Sequence, residues 1–110
     1  MAEASTTVAN YLPFKLANGE VIRLSLSWGR LKLLKVKKPE VFESYNAIFM
    51  EGPKDIFDFV TIIYAAYVCY NIDSEGLEDL PSQSKFIDMI PENQGEVILV
   101  AKELIEPSKK

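Results

Sequence analysis

Apolar and polar residues alternate with a period of two between residues 14 and 26, interrupted at the dipeptide Asn18-Gly19. A period of two places every second side chain on the same face of a β-strand. Asparagine and glycine tolerate the positive φ angles that a type I′ turn requires at both of its central positions. The pattern therefore predicts an N-terminal β-hairpin with a type I′ turn at Asn18-Gly19.

After residue 26 the apolar residues recur every three or four positions, which is the spacing of helices. Ser27 can cap the first helix by accepting a hydrogen bond from a free backbone N–H, and Pro39 is tolerated only at a helix start. The stretch 73–84 carries four acidic residues without periodicity and is predicted to be an exposed loop. The predicted helices cover about residues 28–37, 40–51, 55–71, 84–90 and 92–105.

The third predicted helix is apolar on nearly every side. Its bulky residues form one face, while small residues follow each other at spacings of three and four on a second, narrow face that includes Thr61, Ala65 and Cys69. A helix of this kind lies at the centre of a domain. We expect the bulky face to form the core and the small face to let a second helix or another subunit approach closely.

These elements predict a mostly α fold, a small domain of about five helices with an N-terminal β-hairpin, which is α+β in a strict classification. A chain of 110 residues corresponds to one domain with a single core. Pro107 is predicted to end the last helix. Residues 1–10 and 107–110 are predicted to be flexible tails.

The composition argues against catalysis. The chain has no histidine and one cysteine, so it lacks an imidazole base, a Ser-His or Cys-His nucleophile and the usual zinc or iron ligands. The acid pairs Asp55 with Asp58 and Glu78 with Asp79 come without an orienting base or an oxyanion motif. We therefore predict no enzymatic activity, no catalytic residue, no metal site and no cofactor, and we interpret Cys69 as a buried, inert thiol.

The most membrane-like stretch, residues 59–70, is shorter than the roughly 20 apolar residues that a membrane-spanning helix needs. The first ten residues lack the basic and apolar regions of a secretory signal. A lone cysteine cannot form an internal disulfide, so nothing points to an oxidising compartment. The expectation is a cytoplasmic protein that does not bind a membrane.

The main charge cluster is basic, although the net charge of the chain is −4. Half of the twelve positive residues fall in one run without an acid: Arg23, Arg30, Lys32, Lys35, Lys37 and Lys38. Such clusters bind the phosphates of nucleic acids. At 100° per residue, however, Arg30 and Lys37 lie opposite Lys32 and Lys35, so the charges surround the helix and do not form one stripe. A small nucleic-acid-binding regulatory protein that uses residues 30–38 is therefore the alternative function.

Aromatic residues make up 11% of the chain, more than the predicted core is expected to hide. Tyrosine and tryptophan are enriched at protein interfaces because each combines apolar area with a polar group. Leu99 adds an apolar side chain on the polar side of the last predicted helix. The composition therefore predicts a protein–protein surface, with the candidate partner-binding residues Trp28, Tyr64, Tyr67, Tyr70 and Leu99.

The chain contains two distinctive blocks, GPKDIFDFVTIIYAAY at residues 52–67 and FIDMIPEN at residues 86–93. A third segment, VIRLSLS at residues 21–27, precedes Trp28. Together these segments resemble the tail assembly chaperones of long-tailed bacteriophages, especially those of phages and prophages of Gram-positive bacteria. The resemblance extends over most of the chain, from about residue 20 to residue 107.

The resemblance implies a small, mostly helical, non-enzymatic protein in the cytoplasm of the bacterial host. Such a protein coats the tape-measure protein, keeps it soluble, helps to recruit tail-tube subunits and is absent from the mature virion. Many of these families also make a longer form by a programmed ribosomal frameshift, and Lys109-Lys110 is compatible with the adenine run that slippage needs. We expect this chain to bind its client as in helix-in-groove recognition and to self-associate weakly.

Overall fold

The computed structural model describes residues 11–105. The predicted tails at 1–10 and 107–110, and the predicted helix end at Pro107, lie outside the described residues. The elements follow in the order β1 (Leu12–Lys15), β2 (Val21–Leu24), α1 (Trp28–Lys37), α2 (Pro39–Glu51), α3 (Ile56–Tyr70), a short 3-10 helix (Leu77–Asp79), α4 (Gln83–Met89) and α5 (Gln94–Ile105). The prediction of a mostly α domain with five helices and an N-terminal hairpin is therefore confirmed for the described residues.

Helix α3 lies at the centre of the fold, because its residues 60–69 are all buried. The other four α-helices and strand β2 all pack against it, and α5 makes the most extensive contact. Ala65 and Cys69, on the predicted face of small residues, are both 0% exposed. This face is thus covered within the chain itself and is not left for another subunit.

The start of α3 is fixed by the side chain of Asp55 at the N-cap position. Its Oδ1 accepts hydrogen bonds from the backbone N–H groups of Phe57 (3.0 Å) and Asp58 (3.2 Å). Asp58 in turn accepts a hydrogen bond at Oδ2 from the backbone N–H of Lys54 (2.8 Å). The two acids therefore satisfy free N–H groups directly, in addition to complementing the positive end of the helix dipole.

The hairpin turn differs from the prediction. Among the residues of the turn only Gly19 has a positive φ, 94°, so the type I′ assignment was wrong. The connection has three residues, because Leu16 and Glu20 still pair through the bond from Leu16 N to Glu20 O (2.8 Å), while Gly19 N donates to Leu16 O (2.9 Å). Asn18 accepts a hydrogen bond at Oδ1 from Glu20 N (2.9 Å). This longer loop needs one left-handed residue, which glycine provides.

One face of the hairpin is buried against the helices. Its inward side chains are Phe14, Leu16, Ile22 and Leu24, each at most 5% exposed. Two backbone hydrogen bonds also join this region to the helices, from Ser25 N to Ala66 O (3.2 Å) and from Ala17 N to Met89 O (2.9 Å). A hairpin of this length is only marginally stable alone, so these contacts are what hold it in place.

Two helix starts differ from their predicted forms. Ser27 occupies the N-cap position of α1, but its side chain makes no capping hydrogen bond, so that detail of the prediction was wrong. Arg30, in the first turn of α1, instead attaches this helix to the end of α3. Helix α4 begins at Gln83, one residue before its predicted start, because Ser82 caps it by accepting a hydrogen bond from Lys85 N (3.4 Å).

The cap of the central helix gives a direct test of this architecture. We expect Asp55→Ala to lower the free energy of unfolding by about 1 kcal/mol, because the Phe57 N–H loses its side-chain acceptor and the Asp58 N–H keeps only the backbone oxygen of Asp55 (3.1 Å). Asp55→Asn is the matched control, since an asparagine side chain offers the same acceptor oxygen and should retain most of the stability. Urea denaturation followed by circular dichroism measures both. Equal losses in the two variants would contradict the role of the cap.

Candidate functional site

Two of the five candidate partner-binding residues lie in the core. Tyr64 is 7% exposed and Tyr67 is 9% exposed, so the expectation that they lie on an exposed surface was wrong. Their rings pack against Phe86 of α4, with centroid distances of 5.2 and 5.4 Å. The Tyr64 hydroxyl donates a hydrogen bond to the backbone oxygen of Pro81 (2.8 Å). Both tyrosines are buried because α4 covers this side of α3.

Tyr70 occupies an intermediate position at the end of α3. Its ring meets the ring of Tyr11 edge to face at a centroid distance of 5.7 Å. The guanidinium carbon of Arg30 lies 5.9 Å from the centroid of the Tyr70 ring. Tyr70 therefore contributes mainly to contacts within the chain.

The other two candidates are exposed, but they lie on different surfaces. Trp28, at the start of α1, is 89% exposed, and Leu99, on the outer side of α5, is 69% exposed. Trp28 lines a large apolar cavity, and Leu99 is not among the residues that line it. The structure thus brings Trp28 into a candidate binding site and leaves Leu99 outside it.

The cavity beside Trp28 is an open groove of about 550 Å³ between α1, α2 and the end of α5, which we call the α1–α2 groove. Tyr45 lies in it as a buried aromatic and stacks against Phe49 with a centroid distance of 5.9 Å. Phe49 and Met50 are 52% and 73% exposed. The full lining is Leu26, Trp28, Leu31, Lys32, Lys35, Phe42, Tyr45, Asn46, Phe49, Met50, Leu104 and Ile105.

The charge of the groove is positive. Lys32 and Lys35 are its charged lining residues, and none of the lining residues within 11–105 is an acid. The Lys35 ammonium lies 5.8 Å from the centroid of the Phe42 ring, within the range of a cation–π contact. Burial raises the pKa of the Tyr45 hydroxyl, which keeps this group neutral at physiological pH. The described lining of the groove is therefore an apolar surface with two lysines as its charged groups.

Arg30 holds α1 against the end of α3. Although it belongs to the basic run, it is 8% exposed. Its Nη1 donates hydrogen bonds to the backbone oxygens of Cys69 (3.2 Å) and Tyr70 (3.1 Å) and to Asp73 Oδ1 (3.3 Å). A cation at this position also complements the negative end of the α3 dipole. Sequence analysis missed this role, although Arg30 lies one helical turn before the core residue Leu34 and so on the same face of α1.

The end of the basic run is also engaged within the chain. Lys37 Nζ donates a hydrogen bond to the backbone oxygen of Ile72 (3.2 Å). Lys38 Nζ forms an ion pair with Glu78 Oε1 (3.1 Å). Together with Arg30, three of the basic residues between 30 and 38 therefore make contacts with α3 and the segment after it.

Metal-binding groups and reactive thiols are two further kinds of functional site that a chain can carry. Among residues 11–105, no group of three or more His, Cys, Asp or Glu side chains is placed to hold a metal ion. Cys69 is buried, as predicted, and burial raises the pKa of its thiol to about 12, although Arg30 acts in the opposite direction. Its thiol is therefore neutral at physiological pH.

No helix within residues 11–105 combines the length and the hydrophobicity needed to cross a membrane.

Comparison of the chain with protein-family models, with curated proteins and with solved structures finds no match in any of the three.

The contacts of Arg30 predict a large effect on stability. Arg30→Met keeps an unbranched side chain but removes the donor to the Tyr70 carbonyl and to Asp73. It leaves the Cys69 carbonyl with the bond from Ile72 N (3.1 Å). We expect the free energy of unfolding to fall by about 2 kcal/mol, which is typical of hydrogen bonds to a charged group. Lys32→Met, on the exposed side of the same helix, is the matched control. A loss of similar size in both variants would show that Arg30 is not the anchor of α1.

The buried thiol predicts a loss of stability in alkaline solution. The pKa of Cys69 is raised from 9.0 to about 12 in the folded protein, so between these values the unfolded chain loses this proton first. The free energy of unfolding should therefore fall by about 1 kcal/mol between pH 8 and pH 10 from this group. Urea denaturation across this range measures it, and Cys69→Ala should give a shallower pH dependence. Identical slopes for both proteins would contradict the prediction.

Proposed function

We propose that this protein is a non-enzymatic tail assembly chaperone of a long-tailed bacteriophage. In this role it binds the tape-measure protein in the cytoplasm of the bacterial host, keeps it soluble, promotes assembly of the tail tube and is absent from the mature virion. Two lines of argument support the proposal: the resemblance carried by residues 52–67 and 86–93, and the nature of the exposed apolar surface.

The observation that carries the proposal is the α1–α2 groove. Trp28, Phe49 and Met50 all line it, and each is more than half exposed. A contiguous exposed apolar surface of this kind marks an interaction site in soluble proteins. Tryptophan is also among the residues that contribute most to binding energy at interfaces. A protein that keeps an apolar client in solution needs such a surface.

The contacts of the basic run favour a protein partner over a nucleic acid. Arg30, Lys37 and Lys38 are engaged with α3 and the segment that follows it. Lys32 and Lys35 line the apolar groove, and the Lys35 ammonium lies 5.8 Å from the centroid of the Phe42 ring. Nucleic-acid binding needs several cations presented together to a phosphate backbone. The chaperone role is therefore the function that we propose, with the tail-tube protein as a second partner and weak self-association through apolar surface.

The proposal is tested by recovering the partners of the tagged protein from cells in which the parent prophage is induced. We expect mass spectrometry to identify a tape-measure protein among the partners, and we expect finished phage particles to lack the chaperone. The same spectra can be searched for peptides that extend past Lys110, which would reveal a frameshifted form.

Two exposed residues provide variants for this experiment. Trp28→Ser should reduce recovery of the tape-measure protein at least severalfold, because Trp28 lines the groove and is 89% exposed. Leu99→Ser removes an exposed apolar side chain outside the groove and is the matched comparison. Recovery of nucleic acid without any tail protein, or of this chain in finished particles, would refute the chaperone role.

A further inference from the structure

The α1–α2 groove has features that specify what it binds. Its lining residues come from helices α1, α2 and α5, with Leu26 from the segment just after β2. The ring of Tyr45 is buried, and Phe42 and Phe49 stand next to it at centroid distances of 6.5 and 5.9 Å. Trp28 and Met50 are largely exposed. The groove therefore has a deep aromatic part and exposed apolar side chains around it.

The walls of the groove favour a helix over an extended peptide. An extended peptide gains affinity by pairing its backbone with a free sheet edge. The groove contains no residue of β1 or β2, and helical backbone groups are already bonded within their own helices. The backbone groups of a helical partner are already hydrogen-bonded within that helix. Such a partner therefore needs only an apolar face that the groove can bury.

The charge of the groove indicates which charged residues the bound helix should carry beside its apolar face. Lys32 and Lys35 both lie on α1 and are three residues apart, so they are neighbours along one side of the groove. No acid lines the groove in the part of the chain that the structure describes. A partner with acidic residues beside α1 gains attraction, whereas a partner with basic residues there is repelled.

Other occupants match the groove less well. The chain continues from Ile105, a lining residue, into the sequence EPSKK, whose two lysines outnumber its one glutamate, so its side chains carry a net charge of the same sign as the groove. One exposed apolar side chain that a second copy offers is Leu99 of α5, which has Glu96 three residues before it and Lys102 three residues after it. These two charges have opposite signs, so they complement Lys32 and Lys35 poorly.

We propose that the α1–α2 groove binds one amphipathic helix of a partner protein, whose apolar face covers Trp28, Phe49 and Met50 and whose acidic flank lies beside Lys32 and Lys35. The identification of that partner as the tape-measure protein rests on the proposed function. The inference that the groove binds an amphipathic helix with an acidic flank does not depend on that function.

Two synthetic helical peptides test the proposal on the full chain. Both have the same leucine face over about five helical turns, and they differ only in carrying glutamate or lysine along one flank. Trp28 is the only tryptophan of the chain and lies in the groove, so its fluorescence reports occupation directly. We expect a blue shift on binding, because the ring moves from water into an apolar contact.

The charge preference is the expected quantitative result. At low salt the glutamate peptide should bind about tenfold more tightly than the lysine peptide, and the difference should shrink as salt increases. The double variant Lys32→Glu with Lys35→Glu should reverse the preference. The double variant Lys15→Glu with Lys85→Glu makes the same change of net charge at exposed positions outside the groove and should keep the original preference.

Several results would overturn the proposal. These are equal affinity for the two peptides, no change in Trp28 fluorescence, or a preference that does not reverse in the Lys32 and Lys35 double variant. A change in Trp28 emission on deletion of residues 1–10 or 106–110 would show that the chain itself covers the groove. Light scattering that shows a dimer lost with Phe49→Ser would instead identify a second copy as the occupant.

The peptide test and the partner recovery have separate outcomes. If the unchanged protein and the Lys32 and Lys35 double variant recover the tape-measure protein equally well, the groove assignment fails while the chaperone role stands. If the peptides behave as expected but no tape-measure protein is recovered, the groove assignment stands and the chaperone role fails.

Discussion

The fold depends on the need to cover helix α3 on every side. Its residues 60–69 are buried without interruption, so no face of this part of the helix can be left to water. A single helix or sheet can cover only one side, and the chain therefore surrounds α3 with four helices and a hairpin. The cap at Asp55 and the bonds from Arg30 complete the two ends of the same helix. Most other features of the domain follow from this arrangement.

The groove is a consequence of how α1 is held. Arg30 and Leu34 face inward and are buried, and they attach α1 to the end of α3. The opposite parts of α1 remain outside the core, which leaves Trp28, Lys32 and Lys35 next to the aromatic residues of α2. The same contact thus buries the positive charge of Arg30 against α3 and leaves the other side of α1 to line the apolar groove. A basic run in the sequence becomes partly a structural support and partly the edge of a binding surface.

Periodic patterns in the sequence were sufficient to predict the helices and the hairpin but not the binding groove. The alternation around Ile22 and the helical spacing after Ser27 predicted the hairpin and the five helices, because each pattern reflects burial of one face. The turn at Gly19 was mispredicted, since a three-residue loop and a two-residue loop use similar residues. The burial of Tyr64 and Tyr67 depends on where α4 packs, and the groove depends on three helices meeting. Such long-range placement leaves no periodic signal in a single sequence.

The hydrogen bond from Ser25 N to Ala66 O has a consequence for the order in which the protein is built. During translation the hairpin leaves the ribosome well before the helix to which this bond attaches it. Its inner face therefore has no partner until α3 has been synthesised, and helix α5, which packs against both α3 and β1, is added later still. The core closes only when nearly the whole described chain has emerged. Until then the nascent chain exposes apolar surface to water. Chains with such transiently exposed surface are prone to aggregate.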